Sequence, residues 1–340
     1  MVTVRHAGRL VAAAALVRHR RFGLPVLTPV GAGISDITDV LIDDSCAAEA
    51  GRHLARGMAR QPAHTIDLSE VPDQAAVWHV AHAWPFRART IRGSICLDLP
   101  ARPLDELIET LPRHTAQTRR RKSRKIASAG IETCVTPAAR AADTVDVLLR
   151  LHREQWRGRA MNPEHCEARF AAHLVGAVPA MVDRGQAVLV EHRIKEKPVA
   201  VDLLITGHRT VGAYLYGFRP ELRGRIDVAQ LLLGADLELT RLLGRPRLSL
   251  LRGDEPHKRR WRPDEVANQR LLLACRGRVP TALYAMGVRG RQALVSIVKS
   301  RPLLNRTARS IRAARSALRR SGPAHLAGGR QPPLAPNASR

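Results

Sequence analysis

Hydrophobic and polar residues alternate most regularly between residues 211 and 261. Residues 211–218 (VGAYLYGF) alternate with the period of a β-strand, and a polar loop that contains three arginines follows them. From Val228 apolar residues recur every three to four positions, directly after Asp227, a residue type that caps helix N-termini. A second short apolar run, 247–251, leads into a cluster of ionisable residues. The stretch therefore predicts a strand, a loop, a helix, a second strand and a candidate site, in that order.

The same two periodicities predict alternating strands and helices along most of the chain. The N-terminus is expected to form a hairpin, with strands at 2–5 and 10–17 and a turn at Ala7 and Gly8. Further strands are predicted at 25–30, 38–42, 65–68, 90–99, 186–191 and 199–206, and helices at 46–60, 74–83, 104–111, 113–130, 144–155 and 164–184. This pattern is typical of a mixed α/β (α+β) fold.

Composition and charge add information about the core and about partners. The 340 residues are 45% hydrophobic but only 3% aromatic, so the cores must be built from Ala, Leu and Val. The formal net charge of +26 favours anionic partners such as nucleotides, nucleic acid, acidic glycans or anionic lipids. Genomic base bias also produces Arg- and Ala-rich chains, and on that interpretation many of the arginines have no partner.

The cysteines indicate a reducing compartment. Five are scattered along the chain: Cys46, Cys96, Cys134, Cys166 and Cys275. Their odd number and the lack of a CxxC pair argue against a disulfide scaffold and against a structural zinc site. His165 lies beside Cys166, but this pair lacks metal-ligand spacing. We therefore expect a cytoplasmic protein without a metal.

Two groups of side chains between 211 and 261 are candidates for chemistry. The arginines of the loop lie just before the free amides of a helix N-terminus, a combination that binds phosphate. Asp227 opposes this role, because a capping carboxylate competes for the same amides. After the second strand, Asp254 and Glu255 accompany His257, whose imidazole titrates near neutral pH as acid–base catalysis requires. The alternative interpretation is a crossover loop and a charged surface turn whose side chains pair with one another.

Several motifs resemble the GNAT-type acyltransferases of the CelD/BcsL family, which are relatives of the FemAB transferases. The motifs are LHREQWRGR (151–159), YLYGFRPE (214–221), QLLLGADLELTRLLG (230–244), LLRGDEPHKRRW (250–261) and the basic segment RRRKSRKIASAG (119–130). The resemblance implies tandem GNAT-like subdomains with mixed, mostly antiparallel sheets flanked by helices. The first would cover 1–112 and be truncated at its start, the catalytic one would cover 113–275, and 276–340 would be a basic helical tail, disordered at its end.

The resemblance also implies a donor and a set of site residues. The donor would be acetyl-CoA or another acyl-CoA, held by Arg223, Gly224, Arg225, Val228, Ala229 and Gln230. The catalytic group would be Asp254, Glu255 and His257, and the acceptor would meet His152, Trp156, Arg252 and Lys258. His152 and Trp156 lie four residues apart on one predicted helix face, and their alternative role is core packing. The family usually has Ser-Pro-Gly where this chain has residues 227–229, and Tyr-Lys where it has residues 257–258.

The C-terminal segment is expected to contact a membrane surface. Residues 283–299 and 303–318 have helical apolar spacing with arginines opposite, and no acidic residue occurs from Arg289 to Arg340. Such helices bind anionic bilayers at the inner face of the membrane, although a solvated helix with a frayed tail is the alternative. The apolar run 10–17 is too short to span a bilayer and lacks a cleavage pattern, so no signal peptide is predicted.

These expectations combine into one function with two alternatives. The function is an acyl-CoA-dependent N- or O-acyltransferase, an acetyltransferase that acts by direct transfer on an amine or hydroxyl of a cell-envelope saccharide or a related small acceptor. Nucleic acid is not expected as a partner, and the oligomeric state is open. The alternatives are a FemAB-like aminoacyl-tRNA-dependent transferase, and a non-catalytic envelope or nucleic-acid binding protein with a degenerate transferase fold.

Overall fold

The computed structural model describes residues 1–158, 163–275 and 279–300. The strands are β1 (Val2–His6), β2 (Arg9–Ala14), β3 (Leu16–Arg21), β4 (Leu24–Pro29), β5 (Leu41–Ile42), β6 (Thr65–Pro72), β7 (Ala88–Pro100), β8 (Glu132–Val135), β9 (Ala187–Ile194), β10 (Lys197–Thr206), β11 (Thr210–Phe218), β12 (Arg247–Arg252) and β13 (Asp264–Ala274). The helices are α1 (Ala47–Ala59), α2 (Val77–His82), α3 (Leu104–Glu109), α4 (Arg113–Ala127), α5 (Ala141–Gln155), α6 (Ala168–Asp183), α7 (Val228–Leu242), α8 (Pro256–Arg259) and α9 (Val279–Ser300).

A ten-stranded sheet forms the centre of the fold. Its order is β3-β4-β6-β13-β7-β12-β11-β10-β9-β8, and among these described strands only β4–β6 and β11–β12 are parallel pairs. Strands β1, β2 and β5 form a separate antiparallel sheet. Helices pack against the strands, so the predicted fold class is confirmed: a mixed α/β fold with a large, mostly antiparallel sheet flanked by helices.

The large sheet continues across the boundary predicted at residue 112. Strand β13 follows the candidate site in sequence, yet it lies between β6 and β7 and pairs with both. The sequence analysis missed β13 because its first residues, DEVANQR, are mostly polar and show no clear alternation. Its apolar end is buried because β6 and β7 flank it. The subdomain boundaries remain predictions, and one sheet runs through both proposed subdomains.

The N-terminal hairpin is confirmed. Ala7 and Gly8 join β1 to β2 with φ angles of 47° and 79°, the positive values that a type I′ turn requires. The predicted second strand divides after Ala14, because β2 belongs to the small sheet and β3, from Leu16, belongs to the large one. The strand predicted at 38–42 is shorter than expected and consists of Leu41–Ile42.

The first part of the predicted tail is helical and packed. The hydroxyl of buried Tyr284 on α9 donates a hydrogen bond of 2.5 Å to Asp67 Oδ2. Asp67 also accepts one of 2.6 Å from Arg270 Nε, so a buried carboxylate joins α9, β6 and β13. The second predicted tail helix, 303–318, and the predicted disordered end lie outside the described residues. No helix in the described part of the chain is long and apolar enough to cross a membrane.

Strands β9 and β10 are covered on both faces. Leu189 and Leu203 pack with α5 and α6, while their neighbours Val190 and Leu204 pack with α3 and α7. This alternation is the period of two expected for a strand, and it places α5 and α7 on opposite faces of the sheet.

Helix α5 approaches β11 very closely at Gly217. A Cβ atom at this position would lie 2.5 Å from the backbone nitrogen of His152 and 2.7 Å from the carbonyl oxygen of Leu148. Backbone atoms do not move aside as the end of a flexible side chain does, so a glycine is required here. Gly217 therefore determines how closely α5 lies against β11.

The Gly217→Ala variant should be less stable than the wild type by about 1–3 kcal/mol, because the added methyl group overpacks this contact. Gly176→Ala is the matched control, since Gly176 lies on the exposed side of α6 and an added Cβ meets nothing within 4 Å. The control should gain roughly 0.5–1 kcal/mol from helix propensity. Urea denaturation measures both free energies of unfolding. A Gly217→Ala protein as stable as the wild type would contradict the close approach.

Candidate functional site

The parallel strands β11 and β12 pair over a short distance and then diverge. Their register covers only residues 210–212 of β11, and the last pair is Gly212 with Ser249. On its other edge β11 has a bulge at Tyr214, because Leu203 of β10 lies opposite Leu215 and Leu204 lies opposite Ala213. The register of β12 with β7 also shifts between Ser249 and Arg252. Irregular pairing on both outer edges thus accompanies a gap between the two strands.

The gap opens on a cavity of about 350 Å³, here called the central cavity. Strands β10, β11 and β12 and helices α7 and α8 surround it. Apolar side chains such as Leu232, Leu233 and Leu250 form much of its wall. The ionisable groups in the lining are Asp36, Asp202, Tyr214, Tyr216, Asp236, Arg252, His257 and Lys258.

A second cavity, here called the basic cavity, adjoins the first at the N-terminus of α7. Both cavities include Phe218 and Val228 in their walls. The basic cavity is lined by Arg121, Lys122 and Lys125 of α4 and by the loop residues Arg223, Gly224, Arg225, Ile226 and Asp227. Five cationic side chains therefore face one carboxylate, which makes the cavity a site for anions.

Asp227 caps α7, as its position in the sequence predicts. Its Oδ1 accepts a hydrogen bond of 3.2 Å from the backbone nitrogen of Gln230, and its Oδ2 accepts from Lys122 at 2.6 Å and from Arg119 at 3.0 Å. Burial opposes ionisation, but the hydrogen bond and charge of Lys122 outweigh it and lower the pKa of Asp227. The predicted N-cap is confirmed, and its carboxylate accepts from one of the amides at this helix N-terminus.

The residues predicted to hold the donor are divided between several environments. Arg223, Gly224, Arg225 and Val228 line the basic cavity, and Ala229 lines the central cavity. Gln230 is buried, and its side-chain amide donates to the Arg119 carbonyl oxygen and to Ser123 Oγ, which joins α4 to α7. Arg223 donates to the Gln155 carbonyl oxygen at 2.6 Å and stacks 5.1 Å from the centre of the Phe218 ring.

The predicted catalytic residues do not all meet at one place. His257 is an exposed residue in the lining of the central cavity, and partial desolvation lowers its pKa, so the neutral imidazole predominates at pH 7. Glu255 pairs with Lys258, which also lines the cavity, at 3.0 Å. Asp254 pairs instead with Arg259, which also contacts Glu265, and the side chains of both acids are more than half exposed. The structure brings together His257, Lys258 and Arg252 and places Asp254 in a surface ion-pair network.

The sequence analysis missed Asp36 as a cavity residue. Asp36 Oδ1 lies 3.0 Å from Arg252 Nε in the lining of the central cavity. Burial raises the pKa of Asp36 despite the neighbouring guanidinium. Arg252 also reaches Glu70 Oε1 at 3.2 Å. No local pattern could reveal contacts between residues so distant in sequence.

Backbone strain accompanies this contact. Glu70 and Leu251 have φ angles of 61° and 56°, in the left-handed region that residues with a Cβ rarely adopt. Leu251 directly precedes Arg252 in the sequence, and Glu70 forms an ion pair with Arg252. Such strain clusters at functional sites, where surrounding contacts maintain it.

His152 lies on α5 and Trp156 is the residue that directly follows this helix, and neither is in the lining of the central cavity. The Nδ1–H of His152 donates to the Tyr216 carbonyl oxygen at 2.8 Å, and Nε2 therefore accepts from His165 Nδ1 at 3.3 Å. Burial lowers the pKa of His152, which keeps this neutral tautomer. Trp156 Nε1 is enclosed without a hydrogen-bond partner among the described residues. In the structure His152 thus contacts β11, and the role of both residues toward an acceptor remains a prediction.

Two more acids missed by the sequence analysis lie in the wall of the central cavity. Asp202 interrupts the apolar strand β10, and Asp236 interrupts the apolar face of α7. An acid inside an apolar period is a signal that a closer examination of the sequence could have used. Burial raises the pKa of Asp202 to about 8, and burial together with the Asp202 charge raises the pKa of Asp236.

Comparisons with known proteins agree with this geometry. A family model described as an acetyltransferase (GNAT) domain matches residues 113–259. A search of curated proteins gave no match. FemX superposes with a TM-score of 0.52 at 11% identity, over 79% of this chain and 86% of that chain.

Two further solved structures superpose equally well. One is the C-terminal DUF2156 domain of a putative lysylphosphatidylglycerol synthetase from Agrobacterium fabrum, with a TM-score of 0.51, 11% identity and coverage of 81% and 86%. The other is L-PGS from Bacillus licheniformis, with a TM-score of 0.51, 10% identity and coverage of 79% and 83%. At such low identity these similarities show a shared fold and leave the activity open.

The matched range contains most of the structural elements just described. It includes α4 with its cations, the diverging strands β11 and β12, helix α7 and His257 on α8. The finer assignment to the CelD/BcsL type remains a prediction. Residues 113–259 of this chain match the family model of a GNAT-type acetyltransferase domain.

Proposed function

We propose that this protein is an acyltransferase that moves an acyl group directly from a bound donor to an amine or hydroxyl of a saccharide or related small acceptor. The observation that carries the proposal is the junction of the two cavities at Phe218 and Val228. An anionic carrier fits the basic cavity, and its acyl end then lies in the central cavity beside His257.

Acyl-CoA is the donor that we favour. Its phosphates would contact the guanidinium and ammonium groups of Arg121, Lys125, Arg223 and Arg225. The helix N-terminus contributes less than is usual for phosphate binding, because Asp227 occupies an amide there. Beyond Gly212, β12 no longer pairs with β11, so the backbone of β11 can pair with the amides of the donor arm.

His257 is the candidate general base. Its neutral imidazole can accept the proton that the acceptor N–H or O–H loses as that atom bonds to the thioester carbonyl carbon. The carbon–sulfur bond then breaks, and the proton on His257 is available to the leaving thiolate. Correct positioning of two substrates makes a covalent enzyme intermediate unnecessary. Asp36 and Arg252 form an ion pair in the same lining and would orient the acceptor.

An aminoacyl-tRNA donor is the second candidate. Helix α4 exposes Arg120 and Arg124 in addition to the cations of the basic cavity, which extends the positive surface beyond the size of a nucleotide. The solved neighbours named FemX and lysylphosphatidylglycerol synthetase share the fold, and their names suggest aminoacyl chemistry. We retain the cytoplasmic location and the peripheral contact with an anionic membrane as further parts of the proposal.

Acetyl-CoA should bind the wild type with an affinity that survives high salt, while ATP, the anionic control, should be released. The Lys125→Ala/Arg225→Ala variant should bind acetyl-CoA about tenfold more weakly, because two charged contacts with phosphate are lost. Arg52→Ala/Arg56→Ala on the exposed face of α1 is the control with the same change in charge and should bind normally. Isothermal titration calorimetry measures all three affinities. Equal weakening in both variants would indicate general electrostatic attraction and remove the basic cavity from the proposal.

The His257→Gln variant should lose about 10²- to 10⁴-fold in kcat, because no other neutral base would accept the proton. In the wild type, kcat/KM should fall as the pH decreases through the pKa of His257, which lies below its ordinary 6.5, since only the deprotonated imidazole accepts a proton. Release of the CoA thiol, with amino and hydroxy sugars as acceptors, measures the rates.

Two controls accompany this prediction. His53→Gln on the exposed face of α1 should leave the rate unchanged. Asp254→Asn should retain most of the rate if this carboxylate serves only its ion pair with Arg259. Full activity in His257→Gln would exclude His257 as the base.

A further inference from the structure

Two buried carboxyl groups face the central cavity without a cationic partner. Asp202 and Asp236 are 5% and 4% exposed, and both belong to the cavity lining. Asp202 Oδ2 and Asp236 Oδ1 are each enclosed and make no hydrogen bond to any residue that the structure describes. Among the ion pairs of the described residues, neither acid contacts a Lys or an Arg; Asp202 contacts only the His192 ring, at 3.6 Å.

His192 does not neutralise this pair. Its Nδ1 forms a hydrogen bond of 2.9 Å with Thr133 Oγ1, and its Nε2 lies toward Asp202 without a hydrogen bond. Burial lowers the pKa of His192 to about 4, so its ring is uncharged at neutral pH. Asp202 therefore has a neutral imidazole beside it, and neither Arg252 nor Lys258, the two cations of the lining, forms an ion pair with either acid among the described residues.

This arrangement costs stability in the free protein. A buried polar group without a hydrogen bond is unfavourable, and a second acid nearby adds to the cost. Leucine or asparagine at the same two positions would give a larger free energy of unfolding. A pair of unpartnered acids in a cavity wall is therefore best explained by a cationic ligand that enters the cavity.

The position of the acids indicates which part of the donor they meet. Val228, Leu232 and Asp236 follow at intervals of four residues, so they lie on one face of α7, and all three line the central cavity. Val228 is also part of the basic cavity. Eight residues of helix place Asp236 about 12 Å further along the same face. A donor whose phosphates occupy the basic cavity thus directs its acyl end toward the two acids.

We propose that Asp202 and Asp236 form a binding site for the ammonium group of an amino-acyl donor. This inference rests on the proposed function, because it takes the central cavity to be the acyl site. An ammonium group supplies three N–H donors and one positive charge, which match the two carboxyl groups better than a hydroxyl does. Burial raises the pKa of both acids, and a bound cation opposes this shift, so binding of an ammonium group should release a proton from one of them to solvent.

Glycinamide and propanamide test the site without a carrier, because they differ only in an ammonium group against a methyl group. Calorimetry should show glycinamide binding at least about tenfold more tightly than propanamide, as expected for a charge-assisted contact. The heat should vary with the ionisation enthalpy of the buffer, since one proton is released. Equal affinities for the two amides in the wild type would overturn the proposal without any variant.

The Asp202→Asn/Asp236→Asn variant identifies the residues. In this variant the ratio of the affinities for glycinamide and propanamide should fall below about twofold. The variant should still bind acetyl-CoA as the wild type does, because the basic cavity is unchanged. Asp143→Asn/Asp146→Asn, with the same charge change on the exposed side of α5, should keep the preference. If the double variant does not fold, the single variants replace it. A preference that persists in these variants would overturn the assignment to Asp202 and Asp236.

Competition experiments distinguish the two possible carriers. Displacement of glycinamide by glycyl-CoA at concentrations at least about tenfold lower than those of propionyl-CoA supports the proposal with CoA as carrier. Displacement by a glycylated RNA acceptor-stem minihelix, without acetyl-CoA binding, supports the amine site and rejects the proposed CoA donor. Acetyl-CoA binding together with equal affinity for the two amides rejects the amine site alone.

Discussion

The candidate site depends on the incomplete pairing of β11 with β12. Parallel strands that pair along their full length leave no space between them, whereas here the register ends at Gly212 and Ser249. The bulge at Tyr214 and the register shift near Leu251 bend the two strands differently, and the gap between them is the opening of the central cavity. Helix α7 closes the gap from behind, held by packing with β11 and β12. Without the divergence, the same residues would form an ordinary closed sheet.

Electrostatic contacts then divide this space into parts with different chemistry. At the N-terminus of α7, Lys122 and Arg119 compensate Asp227, so the remaining cations of the basic cavity determine its character. At the junction with the N-terminal half, Arg252 lies between Asp36 and Glu70. In the wall of the central cavity, Asp202 and Asp236 have no such cationic partner within the described part of the chain. The two acids of the cavity wall thus differ from Asp227, Asp36 and Glu70, each of which has a cationic partner.

The sequence predicted features that depend on neighbouring residues. The N-cap Asp227, the hairpin turn at Ala7 and Gly8, and the periodic strand and helix around α7 are local, and each is present in the structure. Strand β13 was missed because β6 and β7 bury it. Some of the residues that contact it lie nearly 200 positions earlier in the sequence. Asp36 was missed as a site residue for the same reason, since only the folded sheet brings it to Arg252. Asp254 shows the opposite case: it is close to His257 in sequence, but in the folded protein it forms a surface ion pair with Arg259.

The insertion of β13 has a consequence for how the chain is made. Strands β6 and β7 belong to the first hundred residues, yet the neighbour that lies between them is Asp264–Ala274. Trp84, in the N-terminal half, also donates its indole N–H to the Ala274 carbonyl oxygen. During translation, the ribosome must therefore deliver almost the whole described chain before these two strands gain their shared neighbour. Until then their edges are open to other unfinished chains, and a nascent polypeptide with such edges is a natural client of chaperones.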